Sequence, residues 1–246
     1  MYGVDAMGVT AENLAEKFNP SREEQDLFAY QSQMKAKKAT QSGRLAEEIM
    51  PGEITSKKGE VSLFAHDELM KPATTLEELS KLKVSFKKEN GTFTAGNASG
   101  LNDGAAALLI VSEAALKKYN LTTRAKIICS AMVGCEPCMM SVGPVEATKK
   151  ALTKAGLTLN EIGIIESNET FAAQSTACIK ELGLKPHDTR INVNGVAIAL
   201  GHPLGMSDAR IIYSAALELQ KQNKKYALAT MYIGVGQGYA MVIEKM

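Results

Sequence analysis

Ile162-Gly163-Ile164-Ile165-Glu166-Ser167-Asn168-Glu169-Thr170-Phe171 is the stretch on which the fold turns. An apolar run of strand length, Ile162 to Glu166, gives way to a helical pattern from Phe171 to Leu182 that stops at Gly183. The same alternation extends in both directions. Upstream, a strand from Ala125 to Val133 precedes a helix from Val145 to Ala155. Downstream, a strand from Ile191 to Val193 leads through a long loop into a helix from Ser207 to Gln222. Two closing strands, Tyr226 to Ile233 and Tyr239 to Glu244, are joined by a glycine loop. Such alternation predicts a layered α/β domain with a mostly parallel sheet, helices on both faces, and one antiparallel edge from the final hairpin.

The first part of the chain reads differently. Met1 to Gly8 contains no opening strand, and Ser21-Arg22-Glu23-Glu24 has the spacing of a helix start. A charged loop through Lys57-Lys58-Gly59 and a helix near Thr75 to Leu79 follow, which suggests a lid leaning on another core. At Gly91 the composition becomes small and glycine-rich. The smooth run Ala105 to Val111 then predicts a buried strand, and Glu113 to Tyr119 a helix.

Composition narrows the function classes. The 246 residues are 45% hydrophobic and 22% charged with a formal net charge of +1, which gives no global pull toward nucleic acid or a membrane surface. No apolar run reaches the ~18 residues of a membrane span. Four sparse cysteines and no secretory pattern make a reducing cytoplasm the simplest setting. Cys135-Glu136-Pro137-Cys138 has the spacing of a metal or redox pair, but no second pair or suitably spaced histidine accompanies it, so no metal site is expected.

In open α/β sheets, functional groups collect in the loops after strands. Three loops qualify: the one carrying Asn168, the one carrying Gly201-His202-Pro203-Leu204-Gly205, and Gly234-Val235-Gly236-Gln237-Gly238. His202 is one of three histidines and stands between a glycine and a proline, where a rigid imidazole can move protons or hold an oxyanion. The alternative is a histidine that only bonds its own loop. Asn168 either serves a ligand or caps the helix behind it, and Ser99 either contacts a ligand or completes a turn. The Gly234 to Gly238 loop lacks the lysine of a phosphate-binding loop and fits better as a tight turn whose N–H groups face an anion.

Five motifs in order then carry a resemblance. Thr10-Ala11-Glu12-Asn13, Thr94-Ala95-Gly96-Asn97-Ala98-Ser99-Gly100, Asn168-Glu169-Thr170-Phe171, Gly201-His202-Pro203-Leu204-Gly205 and Gly234-Val235-Gly236-Gln237-Gly238 together resemble the thiolases, including acetyl-CoA acetyltransferases and 3-ketoacyl-CoA or β-ketoadipyl-CoA thiolases. The resemblance implies a thiolase fold represented by its C-terminal portion only. Residues 1–90 would be the loop domain, 91–121 the end of an incomplete N-terminal half, and 122–246 the C-terminal half. It implies thiolytic cleavage or Claisen condensation of 3-ketoacyl-CoA, with coenzyme A as substrate and no separate cofactor. His202 would activate the nucleophile and help bind the thioester oxygen, Asn168 would hold a water in an oxyanion hole, and Ser99 and Gly234 would lie against coenzyme A or substrate.

The departures from the family pattern matter as much. The nucleophilic cysteine belongs to the front half, and Tyr232 stands where the family keeps a second cysteine that moves a proton at the α-carbon. Thr170 and Val196 replace an alanine and a glycine, and Asp208 another glycine. The resemblance therefore implies an acyl-CoA C-acyltransferase chain that is inactive alone, either a homo-oligomer or the partner of a chain supplying the missing half. The rivals are a non-catalytic coenzyme A-binding or subunit-interaction protein and one chain of a split enzyme.

Overall fold

The computed structural model describes residues 5–246, with the backbone alone at Met140 and Ser141. Met1 to Val4, part of the expected strandless opening, lie outside the described residues. Helix α1, Met7–Phe18, carries the Thr10–Asn13 motif and ends at Asn19, whose left-handed backbone precedes Pro20. Helix α2, Arg22–Gln41, begins with the expected reciprocal cap: Ser21 Oγ accepts the Glu24 N–H at 3.1 Å, and the Glu24 carboxylate accepts the Ser21 N–H at 2.8 Å.

Strands β1, Gly52–Thr55, and β2, Val61–Phe64, pair antiparallel around the Lys57–Gly59 turn. Every residue of both is exposed, so no alternation of apolar and polar residues betrayed them in the sequence. Helix α3, Leu76–Ser80, starts at a second reciprocal cap on Thr75.

The predicted buried strand at Ala105 to Val111 is a correction. The segment has no regular structure, and six of its seven residues are exposed, with only Leu108 half-buried. A run of apolar residues specifies burial only if a neighbouring strand exists to receive it. Among the described residues none lies alongside. The expected short helix does follow, as α4, Glu113–Lys118.

The remaining elements are β3 Ala125–Gly134, α5 Gly143–Ala155, β4 Ile162–Ser167, α6 Ala172–Glu181, α7 Ala197–Leu200, α8 Ser207–Lys221, β5 Tyr226–Ile233 and β6 Gln237–Lys245. The sheet runs β3-β6-β5-β4. Only β4 and β5 are parallel, while β6 is antiparallel to both β5 and β3. The mostly parallel sheet predicted above is therefore mixed. The short turn after Ile233 forces β6 back beside β5, and β3 then takes β6's free side, so the hairpin strand is interior and not an edge. The predicted strand at Ile191 to Val193 reduces to one parallel bridge between Ile191 and Ile165, because Asn192 turns into the left-handed region at φ 48°.

Helices cover both faces, as the alternation implied. Ile164, Ala227 and Ile243 pack on Ala215, Ala216 and Leu219 of α8. Their chain neighbours Ile165, Leu228 and Val242 join the opposite cluster with Ala147, Ala151 and Leu152 of α5. Adjacent strand residues point to opposite faces, so each strand feeds two cores. Below α2, the buried Arg44 guanidinium binds Glu218 of α8 at 2.5 Å and Glu48 at 2.9 Å.

Candidate active site

The parallel strands β4 and β5 end on the same side of the sheet, and the loops beyond them converge there. The Asn168 N–H donates to Thr230 O at 3.0 Å, which pins the β4 loop to β5. The glycine-rich segment docks against that loop: the Ser99 N–H donates to Thr170 O, and the Ala172 N–H to Asn97 O, each at 2.9 Å. The third loop joins them through the His202 N–H, which donates to Gly100 O and to Asn102 Oδ1, both at 3.2 Å. Gly201 is required here twice over. Its φ is +83°, and a Cβ would run into the Asn102 side chain.

His202 is 5% exposed, with both ring nitrogens engaged. Nδ1 lies 2.6 Å from Ser207 Oγ, and Nε2 lies 3.3 Å from Asn168 Nδ2. The direction of the chain follows from its end. Ser207 Oγ is placed to donate to Pro203 O, a carbonyl that only accepts, so Nδ1 carries the proton and Ser207 receives it. Nε2 is left with a lone pair facing the amide of Asn168, whose other amide hydrogen reaches Thr170 Oγ1 at 3.2 Å. Asn168 Oδ1 is buried with no hydrogen-bond partner. The site thus presents a neutral base beside an unused acceptor.

Burial, and then the nearby Arg210 charge, pulls the His202 pKa down to about 4. A histidine depressed in the folded state binds fewer protons there than when unfolded. Its contribution to stability is therefore complete above the unfolded value of ~6.5 and is lost as pH falls through about 4. Urea midpoints measured across that window should fall more steeply for the wild type than for His202→Gln. Parallel curves would refute the assignment.

Two residues that sequence reasoning passed over hold this histidine. Ser207, the first residue of α8, sets its tautomer, and Arg210 clamps its loop by donating to Gly201 O at 2.8 Å and Leu200 O at 3.4 Å. The only signal was position: both lie in the first turn of the helix that follows the His202 loop. Glu169, beside Asn168, points away into the structure. Its carboxylate accepts from Ser32 Oγ at 2.6 Å and Asn192 Nδ2 at 2.7 Å, which fastens α2 to the sheet.

The other candidates are distributed around this pair. Ser99 is half-buried and tied to the Asn168 loop through its backbone. Tyr232, 6% exposed near the end of β5, packs in one cluster with Ala11, Ala98 and Phe171, with Cys135 against it. Gly234 is exposed in the three-residue turn beyond, followed by Val235 at φ 64° and Gly236 at φ 83°. That turn is gripped by the Cys135 N–H, which donates to Gly236 O at 2.7 Å. Asp208 sits in the first turn of α8, where burial raises its carboxyl pKa. Among the described residues, no group of three or more His, Cys, Asp or Glu side chains is arranged to hold a metal ion. Nor is any helix long and apolar enough to cross a membrane.

Comparison with known proteins gives the family of the chain. The thiolase C-terminal domain matches residues 121–245 and the thiolase N-terminal domain residues 1–114. The chain is 52% identical over 245 residues to the 3-oxoadipyl-CoA/3-oxo-5,6-dehydrosuberyl-CoA thiolase of Escherichia coli (strain K12), covering 100% of this chain and 61% of that protein. It is 53% identical over 246 residues to a beta-ketoadipyl-CoA thiolase of Acinetobacter baylyi, again 61% of that relative. The human mitochondrial 3-ketoacyl-CoA thiolase structure superposes with a TM-score of 0.93 at 48% identity, over 98% of this chain and 60% of that one. A Bacillus anthracis acetyl-CoA acetyltransferase gives 0.93 at 40% identity, with the same coverage. The expectation of a C-terminal portion only is corrected, because the N-terminal domain match shows that both family domains are represented. With both domains matched along nearly its whole length, the chain belongs to the thiolase family.

Proposed function

We propose that the chain contributes the histidine–asparagine part of an acyl-CoA C-acyltransferase site that cleaves or forms 3-ketoacyl-CoA, and that it is inactive alone. The observation that supports this is the neutral, buried His202 Nε2 facing the buried Asn168 amide. Such a base takes the proton of a thiol, and the resulting imidazolium then holds the thioester oxygen. The His202 ring nitrogens meet Ser207 and Asn168 and no cysteine, in keeping with the resemblance, which puts the acyl-accepting thiolate in the family's front half.

The test is binding and turnover measured together. Coenzyme A should shift the His202 imidazole resonances, while acetoacetyl-CoA thiolysis by the purified chain should stay at the blank rate. No shift at saturating coenzyme A would sink the assignment, and turnover abolished by His202→Ala would overturn the inactivity. A second reading, a non-catalytic coenzyme A-binding protein, is favoured by one observation: Tyr232 fills the position of the family's second cysteine with a packed ring.

A further inference from the structure

The side-chain amide of Asn168 meets two neighbours through its nitrogen alone. Nδ2 lies 3.3 Å from His202 Nε2 and donates to Thr170 Oγ1 at 3.2 Å, while Oδ1 is buried without a partner. With the imidazole proton on Nδ1, this arrangement makes two hydrogen bonds and leaves one acceptor idle. Turning the amide over would set Oδ1 against the Nε2 lone pair and strand both amide hydrogens, so the neutral histidine favours the arrangement observed. A proton on Nε2 reverses the comparison. Nδ2 would then oppose a second donor at 3.3 Å, whereas a turned amide lets Oδ1 accept from Nε2–H.

We propose that Asn168 inverts its amide when His202 Nε2 takes up a proton, with the Thr170 hydroxyl as a pivot bonded in both states. A hydroxyl accepts from Nδ2 in one state and donates to Oδ1 in the other, which neither an alkyl group nor the alanine of the family pattern can do. The anchors stay still. The Asn168 N–H is fixed on Thr230 O at 3.0 Å, and Thr170 O holds the Ser99 N–H at 2.9 Å. Only the terminal torsion of the amide turns, and its profile is broad and roughly two-fold. Thr170 is thus a positioning residue. Among charged groups on the elements packed around the imidazole, Arg210 of α8 acts on it directly, and Asp67, Glu169, Glu48 and Glu166 act on Arg210. None of them bonds the ring, whose partners are Ser207 and Asn168.

The site therefore offers an acceptor while its base is empty and a donor, Nδ2, once its base is loaded. One consequence rests on the acyl-transfer reading: the acceptor suits a thiol that still holds its proton, and the donor suits a thioester oxygen as it gains charge. The proton moving from sulfur to Nε2 sets the order of the two roles.

The test is nuclear magnetic resonance on the isotope-labelled chain without ligand, so its outcome is separate from coenzyme A binding. At neutral pH a nitrogen–nitrogen coupling should join Asn168 Nδ2 to His202 Nε2, and Overhauser contacts should place the amide hydrogens beside the imidazole ring and Thr170. As pH falls through about 4, coupling and contacts should be lost in step with protonation of Nε2. Thr170→Val keeps the shape without the hydroxyl and should leave both orientations mixed at either pH, and Thr170→Ser should restore a single orientation in each. His202→Arg is a donor at every pH and should hold the inverted amide at neutral pH. That variant carries the test if acid unfolds the chain before His202 titrates. An amide that keeps its contacts beside a protonated His202, or beside the arginine, would overturn the inversion. Thr170→Val inverting as cleanly as the wild type would overturn the pivot.

Discussion

In a fusion carrying the unmatched portion of the Escherichia coli relative, Tyr232→Cys is expected to raise acetoacetyl-CoA cleavage by roughly 10²–10⁴-fold, the usual worth of a positioned acid–base group. The family's second thiol moves a proton at the α-carbon. A thiol titrates near ~8.5 and a phenol near ~10, so at neutral pH tyrosine is the poorer base. The ring also fills space, packed against Ala98 and Phe171 between two of the loops that build the site. The gain should vanish when His202→Ala is added, because the proton on the incoming thiol then has no acceptor. Loss of acetoacetyl-CoA absorbance at saturating coenzyme A measures both effects. Equal turnover with Tyr232 and with the cysteine variant would show that the phenol serves. No turnover in either would leave the coenzyme A-binding reading in possession.

The second large effect concerns stability. Arg44→Ala should cost about 3–5 kcal/mol, because it strands two buried carboxylates. Arg44 lies between Glu48 and Glu218, all three side chains being at most 10% exposed. Burial alone would raise the Glu218 pKa, yet donors from Asn194, Gln222 and Arg44 together hold it below the usual value. Removing Arg44 deletes the only charged donor of that set. Urea denaturation monitored by circular dichroism gives the difference directly, and a loss under ~1 kcal/mol would refute the claim. Replacing Arg44 and Glu218 together by apolar residues should recover part of it, since no lone charge then remains at that contact.

Much of this was legible in the sequence, for identifiable reasons. His202 stood out because glycine and proline flank it, and Asn168 because it follows a strand and opens a helix. Each signal is local, written within a few residues of the group it marks. Ser207 and Arg210 escaped because their roles depend on how the helix folds back over the His202 loop, which no short window records. The hairpin at Gly52–Thr55 and Val61–Phe64 was invisible for the opposite reason: fully exposed strands carry no period of burial. At Ala105 to Val111 the apolar run reported a demand for burial that nothing among the described residues meets. The mixed sheet eluded reading too, since alternation of strands and helices gives their succession and not their lateral order.

Val235 holds a conformation that branched side chains avoid, on the order of 1–3 kcal/mol above a relaxed backbone. A search for thermostable variants would therefore reach Val235→Gly early, and the melting curve would reward it. The same change would slacken the only tight corner between β5 and β6, directly beyond Tyr232. Selection for heat resistance and selection for a well-aimed turn would pull this single position in opposite directions.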